Sequence, residues 1–211
     1  MPILRRACGR PFRELFAGHP EDLRTNKGHV GGLLEALIGL ESSRRLLDFE
    51  DGELKTNKAQ RNGQPLETLA VTTLLGTIDT LLSAPPLAFA ESNVYRKISN
   101  FVYLPVVKDS EDSGDWYFVD VVHVRVQPKT AVFLKLEEDY MGIAAIMRQQ
   151  VLSGHSLQTA NGSNDYLQVR TKDGKPYKQL RSEEFGRVVS DKNRAFYLKR
   201  PFLRDAVMGR L

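Results

Sequence analysis

The chain has 211 residues, of which 41% are hydrophobic and 27% charged, which is typical of one globular domain, with or without two lobes. No apolar run approaches the roughly 20 residues of a membrane helix, and the first ten residues lack the apolar core of a signal peptide. The single cysteine, Cys8, excludes a disulfide framework and a cysteine-based zinc site within one chain, so we expect a cytoplasmic protein.

Positive charge is concentrated near the C-terminal end. Residues 167–211 hold 12 Lys or Arg and 5 Asp or Glu, a net charge of +7. The rest of the chain holds 18 positive and 21 negative residues, because the whole has 30 and 26. A basic segment joined to a mildly acidic body indicates a polyanionic partner, with a generic basic surface as the alternative.

Two helices are predicted in the first 40 residues. Residues 11–18 predict a short helix that begins at Pro11 and ends at Gly18. A clearer helix is expected over about 29–40, with Glu35 beside its buried face. The apolar residues at helical spacing on that face are Val30, Leu33, Leu34, Leu37 and Ile38.

The stretch 47–56 alternates apolar and charged residues around an Asp-Gly pair, which predicts two strands joined by a tight turn. Side chains alternate along a strand, so Glu53 and Lys55 must point to the same face. The turn would set Asp48 opposite Glu53. Two carboxylates and an ammonium on one surface can hold a hard divalent cation, as phosphodiester hydrolysis requires. The alternative is a solvated turn with alternating charges.

The remainder predicts strands mixed with helices. A polar loop is expected over 57–65, a helix and an irregular loop over 77–90, and a long helix over 134–153. The apolar positions at helical spacing on the long helix are Leu136, Tyr140, Ile143, Met147 and Val151. The predicted strands are 66–75, 101–107, 116–126, 166–170 and 196–200, before a final helix over 201–210. In the third of these strands, His123 is interpreted as a packed residue rather than a ligand. The pattern predicts an α/β class, with an α+β mixed sheet flanked by helices.

Several short motifs follow one another along the chain: Asn26 to Glu35, Asp48 to Thr56, Pro65 to Thr68, Lys97 with Pro105 eight residues later, Tyr166 to Arg170 and Phe196 to Lys199. Taken in this order, they resemble the motifs of the mismatch-repair endonuclease family MutH and of the GATC-specific type II restriction endonucleases related to it. The resemblance implies one MutH-like endonuclease domain over 1–211 with a restriction-endonuclease-like core. It further implies a catalytic lobe over about 20–107 and a DNA-recognition lobe over about 116–211, which together form a DNA-binding cleft.

The resemblance also implies roles for the matching residues in catalysis. Asp48, Glu53 and Glu35 would ligate one or two Mg²⁺ ions, for which Mn²⁺ could substitute. Lys55 would orient or activate the attacking water, and Lys97 would assist at the phosphate.

A second set of matching residues would bind DNA. Lys27 would contact the backbone, whereas Arg170 and Lys172 fall where the family reads base edges. Tyr197 falls where the family senses adenine and its methylation, and Lys199 belongs to the same DNA-binding set. The planar fork of Arg170 suits bidentate recognition of guanine.

The chain departs from the family at two places. Four residues separate Asp48 from Glu53, fewer than in the mismatch-repair enzymes, so the turn is shorter and Asp51 competes with Asp48 as a ligand. Thr171 replaces the family's proline after the base-reading arginine, which we expect to loosen that loop.

The expected function is that of a Mg²⁺-dependent endonuclease that hydrolyses a phosphodiester at or near GATC, nicking the unmethylated strand in methyl-directed mismatch repair. One alternative is a type II restriction endonuclease that cuts both strands as a dimer, and another is an inactive DNA-binding module. The expected partners are double-stranded DNA and a mismatch-repair activator protein, with no membrane. We expect a protein of the cytoplasm, associated with the nucleoid, that acts as a monomer or a dimer.

Overall fold

A computed structural model describes residues 2–17, 23, 29–40, 46–159, 164–172 and 176–211. The α-helices are α1 (Pro2–Ala7), α2 (Phe12–Leu15), α3 (His29–Leu37), α4 (Ile78–Leu82), α5 (Asn93–Ile98), α6 (Ala131–Leu152) and α7 (Arg200–Val207). The β-strands are β1 (Glu53–Ala59), β2 (Leu69–Thr73), β3 (Asn100–Val107), β4 (Tyr117–Phe118), β5 (Val122–Arg125), β6 (Leu167–Thr171), β7 (Leu180–Ser182), β8 (Arg187–Ser190) and β9 (Arg194–Leu198). None of the described helices combines the length and apolar composition needed to cross a membrane.

The chain divides into two compact units. The first comprises Met1–Leu69, Ile98–Arg125 and Leu203–Leu211, and the second comprises Ala70–Lys97 and Val126–Phe202. Each unit therefore combines segments that are distant in sequence. The predicted catalytic and DNA-recognition lobes remain a prediction about function.

The first unit is built on a mixed sheet around β3. This strand pairs in parallel with β1 and antiparallel with β4 and β5. Its residues 101–107 are buried, as expected for a strand that reads as one apolar run. Helices α1 to α3 pack on the sheet, and the shared core includes Leu4, Phe12, Val30, Leu34, Leu54 and Leu104. The predicted α/β class with a mixed sheet flanked by helices is confirmed.

The second unit contains the sheet β2–β9–β6, the hairpin β7–β8 and the long helix α6. The buried face of α6 was predicted correctly and includes Leu136, Tyr140, Ile143, Met147 and Val151. The helix begins three residues before the predicted start, because the hydroxyl of Thr130 accepts a hydrogen bond from the Phe133 N–H and caps it.

The prediction that a strand precedes the turn in residues 47–56 is wrong. Residues 46–51 form bends, and the regular strand begins only at Glu53. The predicted turn does form, with the Phe49 N–H donating to the Gly52 carbonyl at 2.9 Å. A strand does not form before the turn because the Asp48 carboxylate accepts the hydrogen bond of the Leu54 N–H at 2.8 Å. A side chain thereby takes the place of the backbone carbonyl of a partner strand.

Two further predictions were wrong for reasons of strand pairing. The polar loop expected over 57–65 begins late, because β1 stays paired with β3 as far as Ala59. The strand expected over 116–126 splits into β4 and β5 where it faces Pro105, which has no N–H to donate and accepts from the Val119 N–H instead. The interpretation of His123 as a packed residue is also wrong, because His123 is exposed on β5.

One buried carboxylate fixes the start of β6. Asp139 on α6 is 6% exposed and accepts hydrogen bonds from the N–H groups of Asp165, Tyr166 and Leu167 at 3.0, 2.6 and 2.8 Å. An acidic residue among the apolar positions of a predicted helix face was the signal in the sequence for this contact. The side chain satisfies three donors that would otherwise be unpaired where the strand begins.

We expect Asp139→Ala to lower the free energy of unfolding by roughly 3 kcal/mol, because it leaves buried N–H donors without an acceptor. Urea denaturation followed by circular dichroism measures this. Glu138→Ala, at the exposed neighbouring position of α6, is the control and should change the same free energy by less than about 0.5 kcal/mol. Equal losses in the two variants would contradict the role of Asp139.

Candidate active site

Strand β1 brings Glu53 and Lys55 together on one face, as side-chain alternation predicts. The Lys55 ammonium donates to the Glu53 carboxylate. The Glu53 side chain is only 1% exposed and that of Lys55 is 21% exposed. A carboxylate so deeply buried requires a compensating charge, which the lysine supplies.

Asp48 lies beside the start of the same strand, held there by the Leu54 N–H. Asp51, the competing candidate, has an exposed side chain in the turn. Its backbone carbonyl, rather than its carboxylate, takes part in the hydrogen bonding of the turn, accepting from the Asn100 amide at 3.0 Å.

Glu35 is carried to this cluster by α3. The helix buries Val30, Leu33 and Leu34, which leaves Glu35 half-buried at the edge of that apolar face. Burial raises the pKa of the Glu35 carboxyl above its ordinary value. The negative charge of Asp48 raises this pKa further, the Lys55 ammonium opposes the rise, and Glu53 adds to it. The four groups are therefore electrostatically coupled.

The donor chemistry of this cluster fits a hard divalent cation. When ionised, three carboxylates and one ammonium carry a net charge of two negative, and carboxylate oxygens are the ligands that Mg²⁺ and Mn²⁺ prefer. In the part of the chain that the structure describes, no three Asp, Glu, His or Cys side chains already converge as a ligand set. An ion bound here would share the Glu53 carboxylate with Lys55.

Two side chains, Asn100 on β3 and His123 on β5, form a hydrogen-bonded brace that holds the turn before Glu53. The Asn100 amide nitrogen donates to the Asp51 carbonyl at 3.0 Å, and its amide oxygen lies 2.7 Å from His123 Nε2. Since the amide oxygen can only accept, Nε2 of His123 must carry the proton. A Cβ atom on Gly52 would lie 2.9 Å from the Asn100 carbonyl oxygen, so this position requires glycine.

The same turn lines a cavity of about 380 Å³ within the first unit. Its walls include Phe49, Asp51, Glu53, Asn100 and Arg125. Glu53 therefore contributes to the wall of this cavity.

Strands β6 and β9 bring two of the predicted DNA-reading residues together. Gln168 pairs with Tyr197 across the antiparallel ladder, which sets Arg170 and Tyr197 on the same face. The guanidinium of Arg170 lies 5.8 Å from the centre of the Tyr197 ring. Lys172 is exposed directly after β6. The Lys199 ammonium instead donates to the Asn164 carbonyl.

Two predicted residues remain, Lys97 and Lys27. Lys97 is half-buried on α5 and belongs to the second unit, whereas Asp48, Glu53 and Lys55 belong to the first. Lys27 lies outside the described residues. The roles assigned to both lysines remain predictions.

Comparison with known proteins gives relatives of one kind. The DNA mismatch repair protein MutH of Shewanella amazonensis is 29% identical over 95% of this chain and 90% of its own length. The chain resembles MutH over nearly its whole length. MutH of Shewanella woodyi is 26% identical over 88% of this chain, and MutH of Vibrio cholerae is 37% identical over 44% of this chain and 41% of its own. No family model matches. The MutH resemblance inferred from the short motifs is confirmed.

The MutH-like motifs did not indicate the brace formed by Asn100 and His123. Asn100 lies between the matched Lys97 and Pro105 but is not itself matched, His123 lies outside every motif, and their partners are distant in sequence. The one local signal was Gly52, which the Asp-Gly turn explains without any neighbour. The close approach of Asn100 became visible only with the parallel pairing of β1 and β3.

We expect Gly52→Ala to lower the free energy of unfolding by roughly 1–3 kcal/mol, because the added methyl group meets a backbone carbonyl that cannot move independently. Thermal unfolding monitored by circular dichroism measures the change. Gly142→Ala in α6 is the matched control, because its nearest neighbour would be 3.8 Å away and alanine favours helix. Equal destabilisation of both variants would rule out the close contact.

Proposed function

We propose that the chain is a Mg²⁺-dependent DNA endonuclease that nicks the unmethylated strand at or near GATC. The MutH relatives support a mismatch-repair endonuclease. The observation that carries the proposal is the buried Glu53–Lys55 pair, coupled to the carboxylates of Asp48 and Glu35. A solvated turn would not bury a carboxylate beside an ammonium.

Asp48 and Glu53 would hold the ion, with Glu35 as the third carboxylate. When bound, a divalent ion stabilises the charge that develops on the phosphate and lowers the pKa of a coordinated water. Asp48 is preferred to Asp51 because its charge acts on Glu35. Mn²⁺ would substitute, because it accepts the same oxygen ligands.

Lys55 would act on the attacking water and the phosphate. Its ammonium is held at the Glu53 carboxylate by an ion pair, so the positive charge is positioned before substrate arrives. A fixed positive charge stabilises the anionic transition state without the cost of reorganisation. Lys97 is proposed to assist at the phosphate and Lys27 to contact the DNA backbone.

Recognition of DNA would fall to the basic C-terminal segment, residues 167–211. Its net charge of +7 suits the phosphate backbone, so we expect binding to weaken steeply with salt. Arg170, exposed beside Tyr197, would read guanine, and Tyr197 would sense adenine methylation. Lys172 would read a neighbouring base edge, and Lys199 would act on the backbone.

Two other functions are compatible with the fold. A restriction endonuclease of the related type would use the same carboxylates but cut both strands as a dimer. A DNA-binding module without activity would keep the basic segment and would not need the Glu53–Lys55 pair. The mismatch-repair relatives favour the nickase, which would act as a monomer that an activator protein switches to its active state.

Supercoiled plasmid from methylating and non-methylating hosts tests the proposal directly. With Mg²⁺, we expect the purified protein to convert unmethylated plasmid to open circles and to leave methylated plasmid intact. Linear fragments would indicate the restriction enzyme instead. If no divalent ion gives cleavage, even with a mismatch-repair activator present, the endonuclease proposal is wrong.

The same nicking assay, applied to variants of Glu53 and Lys55, tests whether these residues are responsible for cleavage. We expect Glu53→Gln and Lys55→Ala to reduce nicking by at least about 100-fold, because the first removes a carboxylate ligand of the ion and the second removes the positive charge aimed at the reacting phosphate. Binding of a GATC duplex, followed by gel shift without Mg²⁺, should persist. Lys58→Ala is the control, because Lys58 lies on the opposite face of β1. Unchanged nicking in both site variants would refute the site assignment.

A further inference from the structure

A buried arginine lies beneath the strands that carry the proposed base-reading residues. Arg194 on β9 is 7% exposed, and burial lowers the pKa of its guanidinium. All three of its nitrogens donate to neutral oxygens. These acceptors are the Ser190 hydroxyl at 3.4 Å, the Thr159 hydroxyl at 3.4 Å, the Thr171 hydroxyl at 3.1 Å and the Leu157 carbonyl at 2.6 Å. These hydrogen bonds lower the cost of burying the charge.

The hydrogen bond from Arg194 to Thr171 lies at the end of the β6–β9 ladder. Thr171 and Arg194 form its last residue pair, and the next residue, Lys172, donates its N–H to the Asn193 carbonyl at 3.0 Å. Asn193 is itself buried, and its side chain accepts a hydrogen bond from the Thr73 hydroxyl at 2.8 Å. The chain is thus fixed at the point where it leaves β6.

This contact determines which face Arg170 presents. Side chains alternate along β6, so Thr171 points toward the buried Arg194 while Arg170 points to the other face, beside Tyr197. A slip by one residue would expose Thr171 and bury Arg170. A hydroxyl that binds a buried guanidinium opposes that slip.

The same contact changes the expected effect of Thr171 on the chain that follows Arg170. The motif resemblance to the MutH family implies a proline at this position, which would stiffen the chain through its fixed φ. We expected threonine to loosen the loop. Thr171 is instead the last residue of a regular strand, and its hydroxyl is bound. A hydrogen bond to the neighbouring strand takes the place of a rigid ring.

We propose that Arg194 and Thr171 are positioning residues that hold Arg170 and Lys172 in the orientation needed to read base edges. The inference rests on the proposed function, because it assumes that those two residues contact DNA bases. It predicts that the Thr171 hydroxyl affects discrimination between sequences more than it affects stability.

Two matched substitutions separate positioning from stability. Thr171→Val and Thr159→Val each remove one hydroxyl from the same guanidinium nitrogen of Arg194 and keep the β-branched shape. Only Thr171 adjoins the base-reading residues. We expect Thr171→Val to reduce the ratio of kcat/KM for GATC over single-base variants by about tenfold, the value of one hydrogen bond to a charged group. Thr159→Val should leave the ratio unchanged, and Thr171→Ser should restore most of it.

Dissociation constants for the same duplexes distinguish a failure of the proposed endonuclease function from a failure of the positioning role of Arg194 and Thr171. A wild-type protein that prefers GATC in binding but does not cut would refute the endonuclease, and the binding ratios of the variants would then test the inference. Equal discrimination in the wild type, Thr171→Val and Thr159→Val, with similarly lowered unfolding midpoints, would show that Arg194 is structural only and overturn the inference. A wild type without sequence preference would overturn it as well.

Discussion

The burial of Glu53 beside Lys55 is the constraint on which the proposed site depends. Parallel pairing of β1 with β3 sets Glu53 against Phe101 and Lys55 against Tyr103, which fixes both charged side chains on one face of a buried sheet. Because one ammonium cannot neutralise the carboxylates of Glu53, Asp48 and Glu35, the cluster retains negative charge. The divalent cation that we propose would remove that excess, which would link the stability of the cluster to its proposed chemistry.

In each unit, polar side chains fix the backbone where a strand that carries proposed site residues begins or ends. In the first unit, Asp48 binds the Leu54 N–H and Asn100 binds the Asp51 carbonyl, so the approach to Glu53 is held from both sides. In the second, Asp139 binds the N–H groups that open β6, and Arg194 binds the residue that closes it. Preorganisation of this kind lets a short strand present its side chains accurately, which recognition and catalysis both require.

The sequence was informative where a feature depends on local pattern. The apolar spacing along α6, the stripe of α3 and the apolar run of β3 each predicted an observed element, and alternation placed Glu53 with Lys55. Prediction failed where a distant residue decides. The strand expected before the turn was replaced by the Asp48 side chain, and a proline at 105 split a strand some 15 residues away. The contacts of Asn100 and Arg194 have no local signature, since their partners are brought together only by strand pairing and loop packing.

Binding of Mn²⁺ measured by electron paramagnetic resonance tests the central claim most directly, because it reports the ion without requiring DNA, an activator or cleavage. The wild type should bind Mn²⁺, and Asp48→Asn should weaken binding by at least about tenfold. Asp51→Asn, three residues away in the same turn, should bind as the wild type does. Unchanged affinity in Asp48→Asn, or loss of binding in Asp51→Asn alone, would contradict the proposed carboxylate site.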